Sequence, residues 1–388
     1  MNRHTPSIGL IAVLLLGACG SSGPSTPGMS VAGGVLDPVT FSVDWRAELV
    51  PQELFEYAPT QIGRVTTSPD ATRVYVGTSA GDLFAINAVD GRVLWQRDMG
   101  EAIDAAPVQV GSRIFVGSTD GNFYGLSASS GSELWHIEVG GALDSQVAVV
   151  DDRLILARPD GVVVCLDQET GAVRWTARDN DPFLGIARGL YPPVKGQANP
   201  VVIDGVVYVG YPSGRLAALN LDDGQQVWIS DLAGAETRHT DIDEPALVVG
   251  NVVYASSFSG GLFALDRETG NRIWHRELRG STRPVFYQGQ VLLTTVSGQF
   301  LSLDAETGDT NFAFRLQDQA PGRVYLIGDY ALIPTSQGAL YALGTDEPNV
   351  FARFRPTSGF ASMTVGPNGR VYAFDNDGYL HGLTLRVR

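Results

Sequence analysis

One glycine recurs in a single register eight times along this 388-residue chain: Gly81, Gly121, Gly161, Gly214, Gly260, Gly298, Gly338 and Gly378. The successive spacings are 40, 40, 53, 46, 38, 40 and 40 residues. Seven residues before each glycine stands an apolar or small residue that opens a strand, from Val74 and Ile114 to Ala331 and Val371. After each glycine comes a second strand, such as Asp82-Leu-Phe-Ala-Ile-Asn87. A turn rich in Asp, Thr and Gly follows, such as Asp266-Arg-Glu-Thr-Gly270. Fourteen residues past the first five glycines stands a tryptophan: Trp95, Trp135, Trp175, Trp228 and Trp274. The sixth repeat has Phe312 there, and the seventh Ala352 with Phe351 beside it. A period of ~40 residues holding four short strands with Gly/Asn/Asp turns signals a propeller blade. A lone four-stranded sheet cannot bury both faces, whereas blades stacked round an axis can, and they leave only short edges exposed.

An open β-solenoid is the competing architecture, and the two ends of the chain separate them. The register puts the eighth aromatic at position 392, beyond Arg388. The remaining tryptophan, Trp45, lies before the first repeat in the context Trp45-Arg-Ala-Glu48-Leu49. This matches Trp95-Gln-Arg-Asp98-Met99 and Trp274-His-Arg-Glu277-Leu278. Residues 41–49 are therefore expected to supply the outer strand of the last blade and latch a ring shut. The expected fold is all-β: one eight-bladed β-propeller of four-stranded antiparallel blades over residues 41–388. Each of the six tryptophans is expected to dock on the neighbouring blade. Truncating such a residue to Ala typically costs about 3–5 kcal/mol. The 46 glycines, about 12% against a usual ~7%, are then largely the stamp of one unit repeated.

The first residues read differently. Met1-Asn-Arg-His precedes an apolar run from Ile8 to Leu16, then Leu16-Gly-Ala-Cys19. The run is too short to span a bilayer at ~20 residues and has the layout of a secretory signal. Leu-Gly-Ala-Cys resembles the bacterial lipobox. This implies a signal peptide over residues 1–18 and an acylated, palmitate-bearing Cys19. Residues 19–40, rich in Gly, Ser and Pro, read as the lipidated cysteine and a flexible tether. Bacterial lipoproteins use Asp beside the cysteine for inner-membrane retention, and Gly20-Ser21 stand there instead. The resemblance thus implies anchoring to the outer membrane, facing the periplasm.

Charge and side-chain inventory exclude several functions. The net charge is −15, with a single lysine, Lys195, so nothing could neutralise a nucleic-acid backbone or form a polybasic membrane patch. The two cysteines, Cys19 and Cys165, make no disulfide framework. Cys165 sits in a strand slot that other repeats fill with Ala85 and Ala264. No two of the five histidines have metal-ligand spacing, and no Gly-x-Ser-x-Gly elbow occurs. Asp179-Asn180-Asp181 lacks the other ligands of a calcium loop. No catalytic residue, metal or cofactor is expected.

Two spacings exceed the common period, and both extra lengths follow a tryptophan and precede the next blade. The two long loops therefore lie on one face in adjacent blades. The first, about residues 176–199, holds Phe183, Leu184, Tyr191, Val194, Lys195 and Gly196. The second, about residues 229–244, holds Arg238-His-Thr-Asp241-Ile-Asp243-Glu244. Long loops on a rigid scaffold are where binding concentrates, although a neutral insertion gives the same spacing.

The pattern Ala264-x-Asp266-x-x-Thr269-Gly270-x-x-x-Trp274 resembles the quinoprotein, or PQQ-type, propeller repeat. Quinoprotein dehydrogenases are longer, however, and carry an adjacent cysteine pair and a Glu/Asn/Asp calcium site. The two loops bring a closer resemblance, to the BamB-type lipoproteins of the bacterial β-barrel assembly machinery. That family has an Arg-Gly-x-x-x-Pro segment, matched here by Lys195-Gly196-Gln-Ala-Asn-Pro200. It also has Arg-x-x-Asp-x-Asp, matched by Arg238, Asp241 and Asp243. The resemblance implies a non-catalytic scaffold whose two loops hold a periplasmic POTRA domain of the central barrel insertase and assist unfolded outer-membrane clients. It departs at Pro192 and Val194, where the family has leucines, and at Lys195, which lacks the guanidinium fork. Phe183, Leu184, Tyr191 and Val194 are the expected apolar anchors. The alternatives are a generic envelope protein-binding propeller and, more distantly, a PQQ-dependent dehydrogenase relative.

Overall fold

In a computed structural model of the chain, the described residues are 39–51, 63–180, 198–233, 242–316, 321–335, 339–356 and 358–387. Among these are thirty-two strands in eight four-stranded sheets, all antiparallel, and no helix. Seven blades are continuous in sequence: 65–98, 108–138, 148–178, 201–231, 247–276, 285–315 and 325–354. The eighth is composite. Its inner three strands are Phe360–Val365, Val371–Asp375 and Tyr379–Val387, and its outer strand is Val39–Glu48. The expected eight-bladed ring and its latch are therefore present, with the latch beginning two residues earlier than position 41. Trp45 lies opposite Gly382 in this pairing, and Glu48 opposite Tyr379.

The core lies between blades. The buried apolar residues fall into eight clusters, and each cluster joins one blade to the next. The strand Arg73–Gly77 shows how. Val74 and Val76 pack with Tyr372 and Phe374 of the last blade. Tyr75 points the other way, toward Ile114 and Val116 of the second blade. Because successive side chains alternate faces and both faces are covered, inner strands are continuous apolar runs rather than alternating ones. A one-residue slip would exchange the two neighbours' contacts, so burial fixes the register. The cluster holding Val74, Trp45 and Tyr372 joins the last blade to the first, and this closes the ring.

The tryptophans seal these junctions at the rim. Trp45 Nε1 donates to the Ala88 carbonyl of the next blade at 3.1 Å. Trp95, Trp175, Trp228 and Trp274 donate likewise to Ala128, Leu221, Arg267 and Ala305, at 2.9–3.1 Å. Trp135 seats on its neighbour too, but its buried Nε1 meets no acceptor. Each indole ring lies flat on a turn glycine of the next blade: Gly91, Gly131, Gly171, Gly224, Gly270 and Gly308. These glycines have φ between 70° and 75°, and a Cβ on any of them would come within 2.8 Å of the ring. Both the left-handed backbone and the indole demand glycine. The seventh blade faces Phe312 instead of a tryptophan, and its turn has Pro348 at the equivalent position.

The fifth blade departs from the glycine register. Its second strand runs to Ser257, one residue longer than its counterparts, and Ser257 pairs with Gly261. The left-handed residue of that hairpin is accordingly Gly261 (φ 92°) and not Gly260.

Candidate functional site

Most residues expected to grip a partner lie outside the described residues: Phe183, Leu184, Tyr191, Val194, Lys195 and Gly196 of the first loop, and Arg238 and Asp241 of the second. Cys19 lies outside them as well. The feet of both loops are described. The first loop leaves the third blade at Asp179, which is buried, forms an ion pair with Arg215 and accepts a bond from Ser213 Oγ at 2.6 Å. Both partners belong to the fourth blade. It returns through Ala198, buried between blades four and five, and Asn199, whose Oδ1 accepts from the Gln146 amide at 2.8 Å. The loop is therefore tied to the third and fourth blades at both ends.

The second loop departs after Leu232, whose amide donates to Gly214 O at 2.9 Å. It returns at Ile242, which is 1% exposed and packs against Gly210. Ile242 repeats a peg also formed by Ile103 on Gly77 and Leu143 on Gly117. The residue after each peg is an aspartate: Asp104, Asp144 and Asp243. Asp243 is thus partly a residue of the repeat. Its charge reaches Arg323 and helps hold that guanidinium protonated.

Arg323 lines a cavity of about 610 Å³ whose walls come from seven of the eight blades, a set that can meet only on the ring axis. One position of the repeat recurs in its wall, through Arg64, Ala106, Gln146, Arg283, Arg323 and Ser362. Fifteen residues before the register glycine stand Ala106, Gln146, Asn199, Pro245, Arg283 and Arg323. Arg64 and Ser362 fill the same place in the first and last blades, set one or two residues further back by longer hairpins. Arg64, Arg283 and Arg323 therefore fall on the arc of blades six, seven and one, while blades two to five present neutral side chains there.

Glu244 pairs with Arg323, its Oε2 lying 2.9 Å from Nε. Burial opposes the charge on Arg323, but Glu244 overcomes this and raises its pKa. Arg64 and Arg283 are lowered, first by burial and then by repulsion from Arg323, with Glu244 partly offsetting both. Asp144 also acts on Arg64. Tyr325 is pushed up by burial. Sequence reasoning missed this arginine arc. Its signal was in the repeat, as a column whose residue type changes from blade to blade.

Other chemistry is muted. Cys165 is fully buried opposite Trp175, and burial pushes its thiol up to about 11, far from a reactive thiolate. Among the described residues no three His, Cys, Asp or Glu side chains converge as metal ligands.

A family profile described as outer membrane protein assembly factor BamB matches residues 34–127 and 98–314, together well over half of the chain. The outer membrane protein assembly factor BamB of Yersinia pestis is 26% identical over 359 residues, covering 87% of this chain and 78% of that protein. The crystal structure of BamB from Moraxella catarrhalis superposes with a TM-score of 0.73 at 21% identity, covering 89% of this chain and 97% of that one. A quinohemoprotein alcohol dehydrogenase from Pseudomonas putida HK5 superposes with a TM-score of 0.69 at 11% identity, covering 90% of this chain and 76% of that one, a likeness of fold alone. On the extent of the profile match, the chain belongs to the family of the outer membrane protein assembly factor BamB.

Proposed function

We propose that this protein is a non-catalytic scaffold lipoprotein of the outer-membrane β-barrel assembly machinery. Residues 1–18 direct export, the Cys19 lipid anchors the ring to the outer membrane on its periplasmic side, and residues 19–40 tether it. The two long loops bind a periplasmic POTRA domain of the barrel insertase and orient it toward unfolded clients. Membership of the assembly-factor family is the observation that carries this reading. The pinned feet support it: a loop bonded to two blades at both ends loses less entropy on binding than a free one. Phe183, Leu184, Tyr191 and Val194 anchor the contact, while Lys195, Gly196, Arg238 and Asp241 set charge and register. Asp243 contributes from the border with the axis. The buried, protonated Cys165 thiol supports a role without covalent catalysis.

The test is a detergent pull-down with the tagged protein, alongside Asp241→Lys and Lys195→Glu variants. The wild type is expected to retain the insertase and each variant to lose most of it. Wild-type protein retaining no insertase would refute the assembly role. Variants retaining as much as wild type would refute the loop interface.

A further inference from the structure

The axial cavity is the feature that the assembly role does not use. Three guanidinium groups enter it from three blades, in a chain whose net charge is −15. Elsewhere in the ring several arginines are matched to carboxylates: Arg97 to Glu133, Arg153 to Asp222, Arg174 to Asp152 and Asp167, Arg267 to Asp204. Among the described residues of the axis, Arg323 is the arginine with an ion-pair partner, Glu244. Among the described residues neither Arg64 nor Arg283 makes a hydrogen bond or ion pair. Asp144 and Asp243 add negative charge near Arg64 and Arg323. Burying like charges together is costly unless counter-charge is supplied.

We propose that the axial cavity binds a small organic oxyanion carrying at least two carboxylate or phosphate groups, held by Arg64, Arg283 and Arg323. Its volume lies within the range of small-molecule sites, roughly 300–1,000 Å³. Guanidinium forks match the paired oxygens of both acid types. The three arginines sit on three blades, with Ser362 of the last blade between two of them, so two or more acid groups on one ligand match separate forks. Blades two and three offer Ala106 and Gln146 on the wall, and Phe360 adds an apolar surface for the ligand's body. Glu244 competes for Arg323 and sets how strongly the ligand must bind to displace it.

The experiment is isothermal titration of the full mature chain in detergent at constant ionic strength. The probes are citrate and pyrophosphate, with chloride as control. Saturable one-to-one binding of citrate, of pyrophosphate or of both is expected, and the arm that binds names the acid type. Arg64→Gln and Arg283→Gln should each weaken binding about tenfold or more, the loss of a charge-assisted bond. Glu244→Gln should tighten it, because the competing carboxylate is gone. The proposal is overturned if neither probe binds saturably, if chloride binds equally, or if the Arg→Gln variants bind as wild type. An insertase pull-down that fails while citrate or pyrophosphate binds would refute the assembly reading and leave this one standing.

Discussion

Two columns of the same repeat follow opposite rules. Trp45, Trp95, Trp135, Trp175, Trp228 and Trp274 fill one column, and the turn glycine beneath each never varies. Arg64, Ala106, Gln146, Asn199, Pro245, Arg283, Arg323 and Ser362 fill the other, and few residue types recur. The rim is set by a demand that every junction shares: a flat ring must sit on a backbone with no Cβ. The axis has no such shared demand: Asn199 accepts from the Gln146 amide, Ser362 bonds to Val65 and Gly63, and Arg323 pairs with Glu244, each blade in its own way. Uniformity in a column therefore marks packing, and variation marks a place where the ring can be specialised without being weakened.

The sharpest way to break this contrast is at the rim. Trp228→Ala should destabilise the ring by about 3–5 kcal/mol, read as a lower urea midpoint, because it removes an indole seated on Gly270 and its bond to Arg267 O. An equal loss from Arg283→Gln on the axis would overturn the distinction, since that change should leave the midpoint nearly unmoved or raise it. Next in size is Gly270→Ala, at about 1–3 kcal/mol from overpacking, with strain at φ 71° in addition. A third, finer test separates two rim positions. Trp175→Phe loses a 2.9 Å bond to Leu221 O and should cost about 1 kcal/mol more than Trp135→Phe, whose Nε1 has no acceptor to lose.

The smallest effect expected concerns pH. The turn carboxylates Asp167, Asp266 and Asp304 accept bonds from backbone amides two and three residues on. Asp167 is held below the usual range first by Arg174, and Asp266 first by the Thr269 hydroxyl. Asp70, bonded first by Ser68, is lowered to about 2. A depressed folded-state pKa stabilises the fold above the unfolded value of ~3.9, and that stability is lost as pH falls toward 2. Asp70→Asn should lower the melting temperature slightly at pH 7 and flatten its fall between pH 4 and 2, the two curves converging at the acid end. An unaltered acid limb would show that Asp70 takes no part.

The ring, its blade count and the composite last blade were legible because the glycine and tryptophan intervals are long and mutually consistent. Even there the fifth blade misled: Gly260 keeps the interval, yet an added residue of strand moves the left-handed turn to Gly261. The arginine arc was not legible because Arg64, Arg283 and Arg323 look like ordinary surface charges in a linear reading. Only closure of the ring through the eighth blade brings the first blade onto the same arc as the sixth and seventh. The two long loops were legible from the repeat spacing alone, and their described feet add what spacing cannot: Ile242, between Asp241 and Asp243, is a buried peg.

The composite blade also sets an order of events. Val39–Glu48 is among the first of the ring's segments to be made, and its partner Tyr379–Val387 is the last. Asp44 receives its bond from Thr384 across a sequence separation of 340 residues. Until then the early strand waits with an open edge, and so does the unfinished eighth sheet, a state prone to mispairing. A chain delivered N-terminus first thus spends its whole synthesis as an incomplete circle. Its final nine-residue strand is the step after which the shape is committed.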